Sequence, residues 1–63
     1  MVRHAAEVTS IRTLVEELQA RVVGLAQAYE RESREDLGRL LFETERALRT
    51  AGRHLARAER LLA

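Results

Sequence analysis

The sequence predicts an all-α fold: an antiparallel two-helix hairpin, in effect a short helical coiled coil, that dimerises into a four-helix bundle. Three observations predict it. Apolar residues recur in alternating steps of three and four along two runs of the 63-residue chain, the mark of helix rather than strand. Charged residues make up 33% of the chain and aromatics 3%, with no Pro, a composition of long helices rather than of a sandwich or barrel. The two runs are out of phase with each other, yet they come into register when the chain is folded back between them.

The first helix is expected over about residues 3–30. Val8, Ile11, Val15, Leu18, Val22, Leu25 and Tyr29 are spaced 3-4-3-4-3-4, so they form the a/d seam of a heptad repeat, with Val8, Val15, Val22 and Tyr29 at a. His4 takes the preceding d position. Continuing this phase would put Glu32 and Asp36 into the core, so the run must end.

A turn is expected over about residues 31–34. Ser33-Arg34-Glu35-Asp36 reads as a helix start, with Ser33 as N-cap, acids in the first turn, and Asp36 at the reach-back position of a capping box. Glu would serve better there. No Gly stands ready to close the first helix in the left-handed conformation, so one unbroken helix is the competing arrangement.

The second helix is expected over about residues 34–62. Leu37, Leu41, Thr44, Leu48, Ala51, Leu55, Ala58 and Leu62 repeat the pattern, with Leu at every a position and Leu37, Thr44, Ala51 and Ala58 at d. Thr44 can return its hydroxyl to the carbonyl one turn back. Folding at Ser33 makes residue i face residue 66 minus i. Tyr29 then meets Leu37, Leu25 meets Leu41, Leu18 meets Leu48 and Ile11 meets Leu55, every a opposite a d. A random phase would achieve this about one time in seven in a seven-residue repeat, which favours the hairpin.

The apolar stripe is wider than one seam. Leu14, Ala28, Leu40, Ala47 and Leu61 fall at g, Ala5 and Ala26 at e, and Val23 and Phe42 further round. A stripe of that width belongs to a bundle helix. A domain this small, with no Cys for a disulfide, gains too little from a single seam. A C2 pair of hairpins supplies the missing layer, and a second protein is the other occupant to consider. Leu14, Val23, Leu40, Phe42 and Leu61 are the expected assembly or partner contacts. Val23 and Phe42 approach each other near the turn in this register, and Phe is an anchor type at interfaces.

The chemistry of an enzyme is missing from the pattern. His4 and His54 lack Glu-x-x-His spacing and any zinc-like spacing. Ser10 and Ser33 have no base nearby in sequence, and no Gly-rich phosphate loop occurs. Most carboxylates have a helical Arg partner, as in Glu17–Arg21, Glu35–Arg39 and Glu45–Arg49. No catalytic, cofactor or metal residue is expected. Gly24, Gly38 and Gly52 recur every 14 residues; close helix approach and coincidence explain this equally well.

Eleven Arg against ten acids leave a net charge of +1, and there is no Lys. The charge is nevertheless polarised. Arg46, Arg49, Arg53, Arg57 and Arg60 step by 3, 4, 4 and 3 along one side of the second helix, and beyond Arg46 the only acid is Glu59. Such a ridge is first a solvated outer face suited to a helix C-terminus. It also offers guanidinium forks to phosphates or to an acidic partner. No aromatic, Asn or Gln accompanies it to read bases.

The function expected from the residues is therefore non-enzymatic: a small cytoplasmic regulator, adaptor or assembly subunit that acts by binding, itself its first partner. Nucleic-acid binding through the Arg ridge is the less favoured alternative. No stretch is apolar enough to span a bilayer, so no membrane partner is expected. The architecture resembles that of plasmid copy-number regulators built as dimers of RNA-binding helical hairpins. The likeness lies in fold and length, without a shared motif.

Overall fold

A computed structural model describes the backbone of residues 2–63 and the side chains of residues 4–63. Two helices, α1 (Val2–Arg31) and α2 (Glu35–Leu62), pack against each other as an antiparallel hairpin. Its Cα atoms extend 48 × 14 × 9 Å, close to the roughly 45 Å length of a 30-residue helix. No helix among the described residues is long and apolar enough to cross a membrane.

The chain reverses over Glu32, Ser33 and Arg34. Ser33 is not the N-cap of α2. It closes α1 instead, at φ 63°. Its N–H donates to the Glu30 carbonyl at 3.1 Å, and the Arg34 N–H donates to the Tyr29 carbonyl at 2.8 Å. This pair of bonds is the Schellman motif, which satisfies the last carbonyls of a helix through one left-handed residue. Glycine usually takes that place; here serine does. The N-cap of α2 is Arg34, which makes no side-chain capping bond. Asp36 does not reach back to a capping N–H on Ser33 but pairs with the Arg34 guanidinium, at 3.2 and 3.1 Å. Ser33→Gly should therefore stabilise the fold by roughly 0.5–1 kcal/mol, because left-handed strain of about 1–2 kcal/mol is relieved against the entropic cost of glycine. A fall in the urea midpoint would contradict this role for Ser33.

The register agrees with the heptads. Gln19 bonds Glu45, Ala26 lies against Gly38, and Gly52 lies near Val15. All three pairs fall close to i facing 66 minus i. The rotation of the helices is different from that expected. Both turn their a and e positions toward each other. Among the covered residues are the a and e positions Val8, Arg12, Val15, Gln19, Val22, Ala26 and Tyr29 of α1 and Gly38, Leu41, Glu45, Leu48, Gly52, Leu55 and Glu59 of α2, with Val23, Phe42 and Ala56 at b half-covered beside them. The d residues expected in the seam, Ile11, Leu18 and Leu25, are exposed. So is Thr44, whose hydroxyl donates to the Leu40 carbonyl at 2.9 Å.

Small residues explain the rotation. Ala26 is fully buried, and a Cβ built on Gly38 would lie 3.4 Å from the Ala26 carbonyl oxygen and 2.8 Å from Glu30 Cγ. The backbones approach each other closely here, where neither e residue has bulk. The apolar stripe spans g, d, a and e, and one neighbouring helix covers only part of it. The hairpin uses a and e, leaves the large d and g residues of α1 exposed, and only half-covers Leu37, Ala51 and Ala58 at d of α2.

Candidate functional site

The a/e packing gives the hairpin two unlike flanks. Beyond the e positions lie the b positions, and this flank is polar. Glu59 accepts hydrogen bonds from the Thr9 hydroxyl and from Arg12 Nε, tying the two helices together. Arg12 also pairs with Glu16 at 2.8 Å. One heptad pair further toward the turn, Glu45 accepts from Gln19 at 2.9 Å and from Arg49 at 2.8 Å. Glu45 is the most covered charged residue described, at 5% exposure, and burial of a carboxylate is tolerable only with such partners.

The donors hold both carboxyls below their ordinary value of 4.5: Arg49 foremost and then Gln19 for Glu45, Thr9 foremost and then Arg12 for Glu59. At the turn Arg34 likewise depresses Asp36. A carboxyl whose folded-state pKa is lowered contributes stability that is complete above its unfolded value and is lost as pH falls through its folded value. The thermal midpoint should hold steady from neutral pH to about pH 5 and then fall with further acidification. The double variant Glu45→Gln/Glu59→Gln should show a shallower fall in circular-dichroism melts; an equally steep one would deny these pairs a role.

The opposite flank is mainly apolar, with Glu7, Arg21 and His54 interrupting its g positions. Beyond the a positions on this side lie d and g. Ile11, Leu14, Leu18 and Leu25 of α1 and Leu40 and Leu61 of α2 are exposed here, from 43% at Ile11 to 76% at Leu61. Ala47 is also exposed, and Leu37, Ala51 and Ala58 are half-covered. Of the five expected contact residues, Leu14, Leu40 and Leu61 lie on this flank. Val23 and Phe42 are at b positions on the other flank and are half-buried. Ile11, Leu18 and Leu25, assigned to the seam from their spacing, join the exposed set. The signal for this was present at the e positions, where Arg12 and Gln19 have Glu45 and Glu59 to meet and where Gly38 and Gly52 leave room.

The five ridge arginines are all exposed. Arg49 is occupied by Glu45, as its spacing suggested, and Arg53 makes a long contact with the Thr50 hydroxyl at 3.4 Å. Among the described residues, Arg46, Arg57 and Arg60 have no carboxylate within ion-pair distance. Glu17–Arg21 and Glu35–Arg39 are not paired either. His4 and His54 are exposed, and the described residues hold no group of three His, Asp or Glu that could bind a metal ion. No protein-family model matches the chain, nor does any curated protein or solved structure.

Proposed function

We propose that the chain is a non-enzymatic assembly module, a helical hairpin that pairs with a second copy as a four-helix bundle and works in the cytoplasm as a small regulator or adaptor. The difference between its flanks carries the reading. One flank is crossed by hydrogen bonds and ion pairs. The other leaves six large aliphatic side chains in water. Contiguous exposed apolar patches mark interaction sites, and a two-fold pair of hairpins completes the core that one hairpin lacks. Sedimentation equilibrium should show twice the 7.2 kDa chain mass, with a melting midpoint that rises with concentration. A monomer with a concentration-independent midpoint would refute the assembly.

A second reading, nucleic-acid binding, has one observation in its favour: the exposed arginines without carboxylate partners on α2. Arg53→Ser with Arg57→Ser should leave stability within about 0.5 kcal/mol, as surface changes do. If the ridge tracks phosphates, filter binding of RNA or duplex DNA should weaken, and the salt slope should drop by about one per lost contact. Unchanged binding of every partner in this variant returns the ridge to a solvated face.

A further inference from the structure

We propose that the second copy docks on the apolar flank in one orientation, with both turns at the same end of the bundle and the Leu14–Leu18 ridge of each α1 seated on Ala47 and Ala51 of the other copy's α2. This rests on the homo-assembly reading above and goes on to fix its geometry. The register places residue i level with about 66 minus i, as the Gln19–Glu45 bond and the Val15–Gly52 approach show. Leu14 is therefore level with Ala51, and Leu18 with Ala47. Over the middle of the flank α1 contributes the bulk, Ile11, Leu14 and Leu18, while α2 contributes Thr44, Ala47 and Ala51. The flank is a ridge beside a groove. Nearer the turn both helices contribute leucine, Leu25 and Leu40.

A two-fold axis that brings two such flanks face to face has two choices of direction. An axis across the helices lays α1 on α1 and α2 on α2 with the levels reversed. With that axis level with Glu16, Leu14 and Leu18 meet Leu18 and Leu14, while alanine meets alanine on the other side. The leucine side and the alanine side then call for different helix spacings, which two hairpins laid face to face do not supply. An axis along the helices lays each α1 on the other copy's α2 with the levels preserved. Leu14 and Leu18 then fill the space over alanine on both sides, and Leu25 meets Leu40. Arg21 and His54 share the g position with Leu14 and Ala47, and their polar ends extend past the rim of the contact to water.

The exposed area fits a missing second layer. A compact monomer of this mass exposes about 4,100 Å² by the general size scaling, and this chain exposes 4926 Å². The surplus of about 800 Å² goes with the elongated 48 × 14 × 9 Å shape of a single helix pair, which a second layer would make more compact.

The test is a distance between turns. The chain has no Cys, so Arg31→Cys, exposed at the end of α1 and off the flank, takes one nitroxide label per copy. Pulsed dipolar spectroscopy should then find a separation near 30 Å, two helix spacings plus the label arms. A separation of about 45 Å or more, one helix length, in a protein that still sediments as a dimer would overturn the orientation and leave assembly standing. No dipolar coupling together with a monomer mass would overturn both.

Discussion

Leu18→Glu should leave a helical chain that no longer dimerises. Leu18 sits mid-row on the apolar flank and is 44% exposed in the hairpin. In the isolated hairpin a carboxylate at this place keeps its water, and the change resembles an ordinary surface substitution, within about 0.5 kcal/mol. In the dimer the same carboxylate loses its water to aliphatic carbon over Ala47 of the other copy. An uncompensated buried charge costs at least about 3 kcal/mol, and each 1.4 kcal/mol is about tenfold in Kd. The two-fold axis makes the cost occur twice. Dimer affinity should thus fall by more than a hundredfold, and ultracentrifugation should show monomer at concentrations where the parent is paired. Leu14→Glu and Leu40→Glu should behave alike, whereas Gln27→Glu, on an exposed position away from both flanks, should leave the dimer whole. A Leu18→Glu protein that still pairs with parental affinity would remove the apolar flank as the interface.

The three glycines should respond to alanine with opposite signs. At Gly38 a Cβ would meet Glu30 Cγ at 2.8 Å and the Ala26 carbonyl oxygen at 3.4 Å. Glu30 must leave its rotamer or the helices must part at this close approach. Overpacking of this kind costs about 1–3 kcal/mol, set against a gain of about 1 kcal/mol in helix propensity, and Gly38→Ala should lower the urea midpoint. At Gly24 a Cβ meets nothing within 4 Å, and at Gly52 only Val15 Cγ1 at 3.9 Å, an ordinary contact. Gly24→Ala and Gly52→Ala should each raise stability by about 0.8–1 kcal/mol. A stabilised Gly38→Ala protein would contradict the a/e packing at the turn end, because an a/d seam would leave that position outside the contact.

Spacing, together with the polar Ser33–Asp36 stretch between the runs, was enough to read two helices folded back as a hairpin, although the cap assigned to Ser33 was not the one it makes. Periodicity is a local property, and antiparallel register follows once both runs and their separation are known. The rotation of the helices was not legible in the same way. Ile11 and Leu18 carry the same spacing signal as Val8 and Val15 because all four lie on one wide stripe. A helix that has two neighbours records both interfaces in one pattern, and the pattern does not say which neighbour is the sister helix. The e positions hold that information in residue size and charge: Ala26 against Gly38, Gln19 against Glu45, Arg12 against Glu59. Ser33 was ambiguous for a different reason. Serine is common at N-caps, and its use as the left-handed residue of a C-terminal motif shows only in φ.

The closing bonds of the hairpin span very different lengths of chain. Ala26 and Gly38 are near in sequence, while Thr9 and Glu59 are separated by 50 positions. Loop-closure entropy grows with the logarithm of the intervening length, so forming the Thr9–Glu59 contact first costs about 1.3 kcal/mol more than forming the one near the turn. Once the tight contact at Gly38 exists, each further heptad closes only a short additional loop. The hairpin therefore behaves as a zipper, fastened from the turn outward and opened from the far end inward, with the Glu59 cluster as its last clasp. Along that path the two helices' shares of the apolar flank come side by side only as each heptad closes, so the order of folding also sets when the flank is complete.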